Sequence, residues 1–315
     1  MNTGLFLRKI YRYLKTGTSQ TRDYSTYQKY LTDNPLEYRH SYFNLTIDFE
    51  LAWSRARRGN SVTSKEESLR RSRLARVVLP TLLELSEKYK LPITFAVVAH
   101  VALKDCSRHD RPPTFSPFWA KDNWYDLDPH SNLEVNKDYY GADLIAMITS
   151  STVSHEVASH GFSHVDLGDS ETIKEVAEFE IRQSAKILRR DDPDLSTFVF
   201  PNNHPAYLDI VKDCGFNTYR IRQNQEVKKD NAGLFQFPLG LWISPQAFSS
   251  NDLVKLIDEG SSRKQLINFW CHLFEFESAV KFRHFFEPVF AHIESCQKEG
   301  IIEALTVRDI IKRIE

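Results

Sequence analysis

From Phe43 onward, short runs crowded with apolar residues alternate with longer segments in which apolar positions return every three or four residues. The short runs FNLTIDFEL (43–51), ITFAVVAHVAL (93–103), EVASH (156–160), TFVFP (197–201), NTYRIR (217–222) and INFWCHLFEF (267–276) predict strands. The longer segments LARVVLPTLLELSEKY (74–89), KEVAEFEIRQSAKILRR (174–190), YLDIVKDCG (207–215) and FFEPVFAHIESCQKEG (285–300) predict helices. Strands alternating with helices of this length imply parallel βα units, arranged as a barrel or as a doubly wound sheet. No internal repeat or low-complexity tract interrupts the pattern.

Residues 16–40 are polar, rich in Thr, Ser and Tyr, and read as an irregular lead-in. Ahead of them, Leu7, Ile10, Tyr11 and Leu14 share one helical face, with Arg8, Lys9, Arg12 and Lys15 on the rest. Such a basic amphipathic helix either docks its stripe on the protein's own body or gives residues 5–15 a peripheral contact with an anionic membrane. No stretch reaches the ~20 apolar residues of a membrane span, and none forms a signal-peptide core. The expected location is therefore the cytoplasm, including the inner face of the membrane.

Between Lys104 and Ala142 runs a long polar excursion with Pro112, Pro113, Pro117, Pro129, Trp119, Trp124 and several tyrosines. It is too long and too aromatic for a plain connector. Two readings stand: a lid packed by its own aromatics, or a surface on which sugars stack.

The chain has 315 residues, with 41 Lys plus Arg against 42 Asp plus Glu. That near-zero balance argues against a globally basic nucleic-acid binder. The four cysteines, Cys106, Cys214, Cys271 and Cys296, are scattered without a C-x-x-C pair, so neither a disulfide framework nor a cysteine zinc site is expected.

Chemistry enters at Asp48 and Glu50. At i and i+2 on a strand their side chains share a face, with Cα atoms about 6.6 Å apart by the strand rise. A buried acidic pair needs a cation or a shared proton. His160 and His164, at i and i+4 just past an apolar run, reach one metal ion if the turn between them is helical. With a carboxylate they complete a His₂-carboxylate set that leaves positions open for water and substrate. His155 lies too near the start of its strand to join them and reads as structural. His272 ends another strand, and in parallel α/β folds strand ends of this kind converge on one site.

With these residues in place, the chain from about Phe43 to Arg308 resembles the polysaccharide deacetylase superfamily, carbohydrate esterase family 4. The resemblance implies a distorted, incomplete (β/α)7-type barrel forming a single domain over residues 41–315, with a short extension over 1–40. Thr46-Ile47-Asp48-Phe49-Glu50 is similar to the family's first motif, which implies Asp48 as catalytic base and Glu50 as metal ligand. His160-Gly161-Phe162-Ser163-His164 resembles the second motif and implies two further metal ligands. Phe200-Pro201-Asn202-Asn203 falls where the third is expected, and Phe269-Trp270-Cys271-His272 looks like the last, whose His is the catalytic acid. Asn202 stands where many members carry an Arg that pairs with the base, so Asp48 lacks that partner unless Arg220 or Arg222 reaches it. Trp270 replaces a small aliphatic residue of the acyl pocket. Asn202, Trp270 and Arg220 are accordingly the expected substrate-binding residues.

The resemblance implies a divalent-metal-dependent hydrolase, with zinc as the expected ion, that removes an N-acetyl or other N-acyl group from an amino sugar in a polysaccharide or glycan precursor. Arg55, Arg57, Arg58, Arg70, Arg71, Arg73 and Arg76 follow the first motif. They read either as a solvated helix face or as a site for a phosphate-linked sugar. Two other readings remain open: a catalytically inactive glycan-binding barrel, and a glycoside hydrolase using Asp48 and Glu50.

Overall fold

The computed structural model describes Tyr27, Tyr38 and residues 40–315, apart from 55–56, 59–60, 110–111, 118–121 and 224–225. The expected amphipathic helix at residues 5–15, Arg55 and Trp119 lie outside the described residues.

Twelve strands are present among them: β1 (Ser41–Phe49), β2 (Arg57–Arg58), β3 (Ser61–Val62), β4 (Thr94–Val97), β5 (Glu156–Ser159), β6 (Thr197–Val199), β7 (Thr218–Arg220), β8 (Lys228–Lys229), β9 (Phe235–Phe237), β10 (Leu241–Trp242), β11 (Leu266–Cys271) and β12 (Ile302–Ala304). The helices are α1 (Lys65–Tyr89), α2 (Ala142–Thr149), α3 (Lys174–Leu188), α4 (Leu208–Asp213), α5 (Ser250–Ser262), α6 (Ala279–Lys298) and α7 (Val307–Ile314). One sheet runs β10-β11-β1-β4-β5-β6-β7-β9-β8, with β12 paired to the start of β1. Every pairing in it is parallel except β8 with β9. Its end strands β10 and β8 do not pair with each other, so the barrel is distorted and incomplete, as the resemblance implies. β2 and β3 form a separate two-stranded ribbon.

β1 is buried along its whole length because helices cover one face and the barrel lumen the other. Leu45, Ile47 and Phe49 pack into the main hydrophobic core between sheet and helices. The alternate residues are polar and bond within the lumen: Thr46 Oγ1 donates to Asn44 Oδ1 at 2.9 Å, Asn44 Nδ2 donates to Thr94 Oγ1 of β4 at 3.3 Å, and Thr94 Oγ1 donates to Glu156 Oε2 of β5 at 2.9 Å. Asp48 continues this inward row, opposite Ala96 on β4, which is opposite Ala158 on β5. Those two small side chains pack with Val199 on β6 into a small buried cluster.

The strands are shorter than the apolar runs suggest. Residues 93–103 split into β4 and a 3-10 turn at Ala99–Ala102, and residues 267–276 into the end of β11 and a turn at Leu273–Glu275. Helices α5 and α7 and the brief strands β9, β10 and β12 complete the fold. α5 does carry a helical stripe, Leu253, Leu256, Ile257 and Gly260, on its buried side.

In the excursion, Trp124, Tyr125, Tyr139 and Tyr140 are all buried. Trp124 Nε1 donates to Ser163 Oγ at 3.0 Å. Among the described aromatics, the segment's rings pack inward on the barrel, Tyr139 against Trp53, Tyr140 against His100 and Tyr125 against Phe179, and these four present no stacking surface for a sugar.

Candidate active site

Glu50 lies one residue beyond the end of β1, at the start of the turn Leu51–Trp53. Its Oε1 is the meeting point of three imidazoles: His160 Nε2 at 3.3 Å, His164 Nε2 at 3.1 Å and His272 Nε2 at 3.4 Å. Glu50, His160 and His164 are buried and present donor atoms within 4.8 Å of one another, as a metal ion requires.

A hydrogen bond elsewhere on the His160 ring tests that fit. His160 Nδ1 stands 2.7 Å from the Val199 carbonyl, which can only accept, so Nδ1 carries the hydrogen. In the neutral ring Nε2 is then bare, and it faces a carboxylate oxygen with no proton between them. A cation between those lone pairs removes the conflict, and fixing the ring through its far nitrogen is how proteins orient metal-binding histidines. The residues present fit a divalent ion.

The His160–His164 turn is not helical, so the two rings converge by a route other than the helical spacing considered from the sequence. Gly161 and His164 both have positive φ, +75° and +66°, and the chain loops back on itself to aim both rings at Glu50. Glu180, on α3, holds the loop. Its Oε2 accepts from the backbone N–H of Phe162 at 2.9 Å and of Ser163 at 2.8 Å, and its Oε1 from Ser163 Oγ at 2.6 Å. Burial pushes the Glu180 carboxyl above its ordinary range, and these donors only partly counter it. Sequence reading missed Glu180, although a Glu on the apolar stripe between Val176, Ala177 and Ile181 was a legible signal.

Asp48 is gripped by Arg220, the last residue of β7. Nη1 reaches Oδ1 at 2.8 Å and Nη2 reaches Oδ2 at 2.6 Å, while Nε donates to Asn203 Oδ1 at 2.8 Å. Burial alone would raise the Asp48 carboxyl, but Arg220, helped by His160 and His272, holds it below the usual carboxylate value. Burial is likewise outweighed at Glu50, where His164 and His272 hold the group well down. His272 is pulled down by burial but lifted by Glu50 and then Glu275, ending at about 10. Its Nδ1 is 3.4 Å from Glu275 Oε1, and its ring stacks on Phe274 at 4.5 Å.

Arg220, expected at the substrate, therefore spends its guanidinium on Asp48 and Asn203. Asn202 does not reach Asp48: its backbone has φ +56° and its Nδ2 donates to Asp166 Oδ2 at 2.9 Å. Asp166 also meets His204, which contacts Arg222 at 2.9 Å, forming a polar chain that sequence reading missed. Trp270 lines the site and lies under the Arg220 guanidinium, 5.0 Å from its ring centre.

These groups open into a cleft of about 660 Å³ walled by Trp242, Trp270 and Phe274. Arg70, Arg71 and Arg222 reach it, but so do Glu67, Glu275 and Glu277. Glu67 alone pairs with both Arg70 and Arg71, at 2.8 and 2.9 Å. Arg73 pairs with Asp138 and Arg76 with Asp143, on the lid side. The described part of the arginine run is thus largely matched by acids.

No protein family model and no curated protein matches the chain by sequence. Solved structures do match in fold. A protein assigned as a polysaccharide deacetylase from Mycobacterium smegmatis aligns over 89% of this chain and 92% of its own, at 10% identity and a TM-score of 0.57. An allantoinase aligns over 89% and 93% at 11% identity and 0.55. An α-amylase from Thermotoga maritima aligns over 88% and 75% at 10% identity and 0.53. The chain shares the polysaccharide deacetylase fold, and at such identity that likeness leaves the chemistry to be argued from the site.

Proposed function

We propose that this protein is a divalent-metal-dependent hydrolase that removes an N-acyl group, acetyl above all, from an amino sugar in a glycan. The observation that carries the reading is the convergence of His160, His164 and His272 on one oxygen of Glu50, with the Arg220-bound Asp48 beside it. Glu50, His160 and His164 are the residues that would hold the ion, and zinc suits their nitrogen and oxygen donors. A bound divalent ion supplies Lewis-acid polarisation and lowers the pKa of water from 15.7 towards about 7.

The chain's own groups supply the rest. Asp48 is the base that takes the proton from the attacking water, kept ionised and fixed in orientation by Arg220. His272, protonated through Glu50 and Glu275, is the acid that delivers a proton from Nε2 to the departing amine. Trp242, Trp270 and Phe274 give apolar faces against which a sugar ring packs. The pairing of Glu67 with Arg70 and Arg71 favours a neutral glycan over a phosphate-linked one.

The glycoside hydrolase reading lacks its acid. That reaction needs one carboxyl group with a raised pKa, whereas Asp48 and Glu50 are both held below their ordinary values. The inactive-barrel reading rested on the missing Arg at position 202, and Arg220 fills that role from the neighbouring strand. The deciding experiment is a primary-amine release assay on N-acetylated chitin oligomers with zinc-loaded protein. Turnover is expected for wild type and a loss of 100-fold or more for Asp48→Asn. Wild type that takes up zinc but releases no amine from any N-acyl sugar would refute the activity.

A further inference from the structure

Secondary structure does little to hold the segment between Lys104 and Ala142, yet a buried polar cluster anchors it. His100, on the turn Ala99–Ala102 after β4, meets Cys106, His109 and Asp128 from the segment. One donor atom from each lies within 4.8 Å of the other three, and all four residues are buried. Cys106 Sγ is 3.7 Å from His109 Nδ1, His100 Nε2 is 3.0 Å from Asp128 Oδ2, and His109 Nε2 is 3.3 Å from that same oxygen. Ligands bound to a tetrahedral zinc ion at ordinary lengths stand about 3.3–3.7 Å apart. The cluster is therefore a coordination shell in composition, with one donor from each residue within 4.8 Å of the rest, a spacing that closes on one ion once the side chains draw in.

Two further observations point the same way. His109 Nε2 is buried and 3.3 Å from Asp128 Oδ2, yet makes no hydrogen bond of good geometry within the cluster. Three imidazoles, those of His100, His109 and His130, crowd Asp128 Oδ2 at 3.0, 3.3 and 3.3 Å, repeating the pattern around Glu50. An aspartate carboxylate and a cysteine thiolate beside two neutral imidazoles carry a charge of about −2, the complement of one divalent ion in a buried site.

The geometry points to a second metal site, in which His100, Cys106, His109 and Asp128 close around one zinc-class divalent ion. One S–metal, two N–metal and one O–metal bond form, the Cys106 thiol proton passes to solvent, and no oxidation state changes. Four protein donors leave no position for substrate, so the site is structural, unlike the open Glu50-His160-His164 set. It clips the lid to the barrel. His100 N–H also donates to the Phe162 carbonyl at 3.0 Å, so the clip abuts the turn that carries His160 and His164. A surface cavity of about 310 Å³ lined by Cys106 and His109 gives the ion a way in. The spacing H-x₅-C-x₂-H-x₁₈-D matches no common zinc pattern, which is why scattered cysteines hid it.

Cobalt substitution tests the site, because only a cysteine ligand gives thiolate-to-cobalt charge-transfer absorption. The full chain loaded with Co²⁺ is expected to show that band. Cys106→Ser should abolish it and lower bound metal by one equivalent, while Glu50→Gln and Cys296→Ser retain it. The Cys296→Ser control is needed because Asp258, His292 and Cys296 form another, partly exposed group. If Cys106→Ser fails to fold, wild type decides: chelation should expose Cys106 to a thiol reagent and speed amide exchange across residues 104–142. Absence of the band in wild type, its persistence in Cys106→Ser, or equal labelling and exchange with and without chelator overturns the site.

Discussion

Arg220 and Asp48 meet across the barrel lumen, from β7 to β1, through paired hydrogen bonds of 2.8 and 2.6 Å. Three strands separate them in the sheet, so the contact exists only because the sheet curls. Both side chains are nearly inaccessible, and a buried pair is most costly when one partner is removed.

Arg220→Met is therefore expected to destabilise the fold by about 3–5 kcal/mol in denaturant titration, by stranding the Asp48 carboxylate. Adding Asp48→Asn to that variant should recover part of the loss. Strict additivity of the two changes would show that the residues do not act as a pair.

Glu180 satisfies three donors of the His160–His164 loop. Glu180→Ala should cost about 2–4 kcal/mol through unpaired buried N–H groups, and it should weaken metal binding by about 10- to 100-fold by loosening both imidazoles. Isothermal titration of zinc into the metal-free variant reads the second effect. Unchanged affinity would limit Glu180 to stability alone.

Gly161 occupies φ +75°, and a Cβ there would stand 3.3 Å from Glu180 Oε2. Gly161→Ala is expected to lower stability by about 1–2 kcal/mol from the backbone alone. Thermal melting that matches wild type would mean the loop adopts another path.

His272 gives the metal-free protein a pH signature. Its folded value of about 10 lies above the ordinary 6.5, so the stability it contributes is complete below pH 6.5 and lost as pH rises through 10. Melting temperatures in chelator should fall across that window for wild type more steeply than for His272→Gln. A bound divalent ion, by sharing the Glu50 charge, should flatten the wild-type slope. Parallel curves for the two proteins would remove Glu50 as the cause.

Much of the site was legible because it is written in short spacings. Asp48 and Glu50 share a strand end, His160 and His164 share a turn, and His272 closes an apolar run, so each group was visible without knowing what lay opposite. The parallel βα units were legible for the same reason, since apolar period and segment length report on each element separately, whereas the choice of a barrel over a doubly wound sheet came from the family resemblance of the motifs. Neither the non-helical form of the His160 turn nor the exact strand ends could be read, because positive φ at His164 and the stop of β4 at Val97 are imposed by neighbours.

The sequence by itself determined which acidic and imidazole side chains, Asp48, Glu50, His160, His164 and His272, are the candidates for the site, and that they stand at the ends of βα units. Only tertiary structure decided who partners whom. Arg220 reaches Asp48, Glu180 steadies the histidine turn, Glu67 quenches two arginines of the cleft, and His100 meets Cys106, His109 and Asp128. Contacts within one strand or turn follow from backbone period. Contacts across the lumen or from lid to barrel depend on how the sheet curls and where the lid lands, which is fixed by the packing of the whole chain.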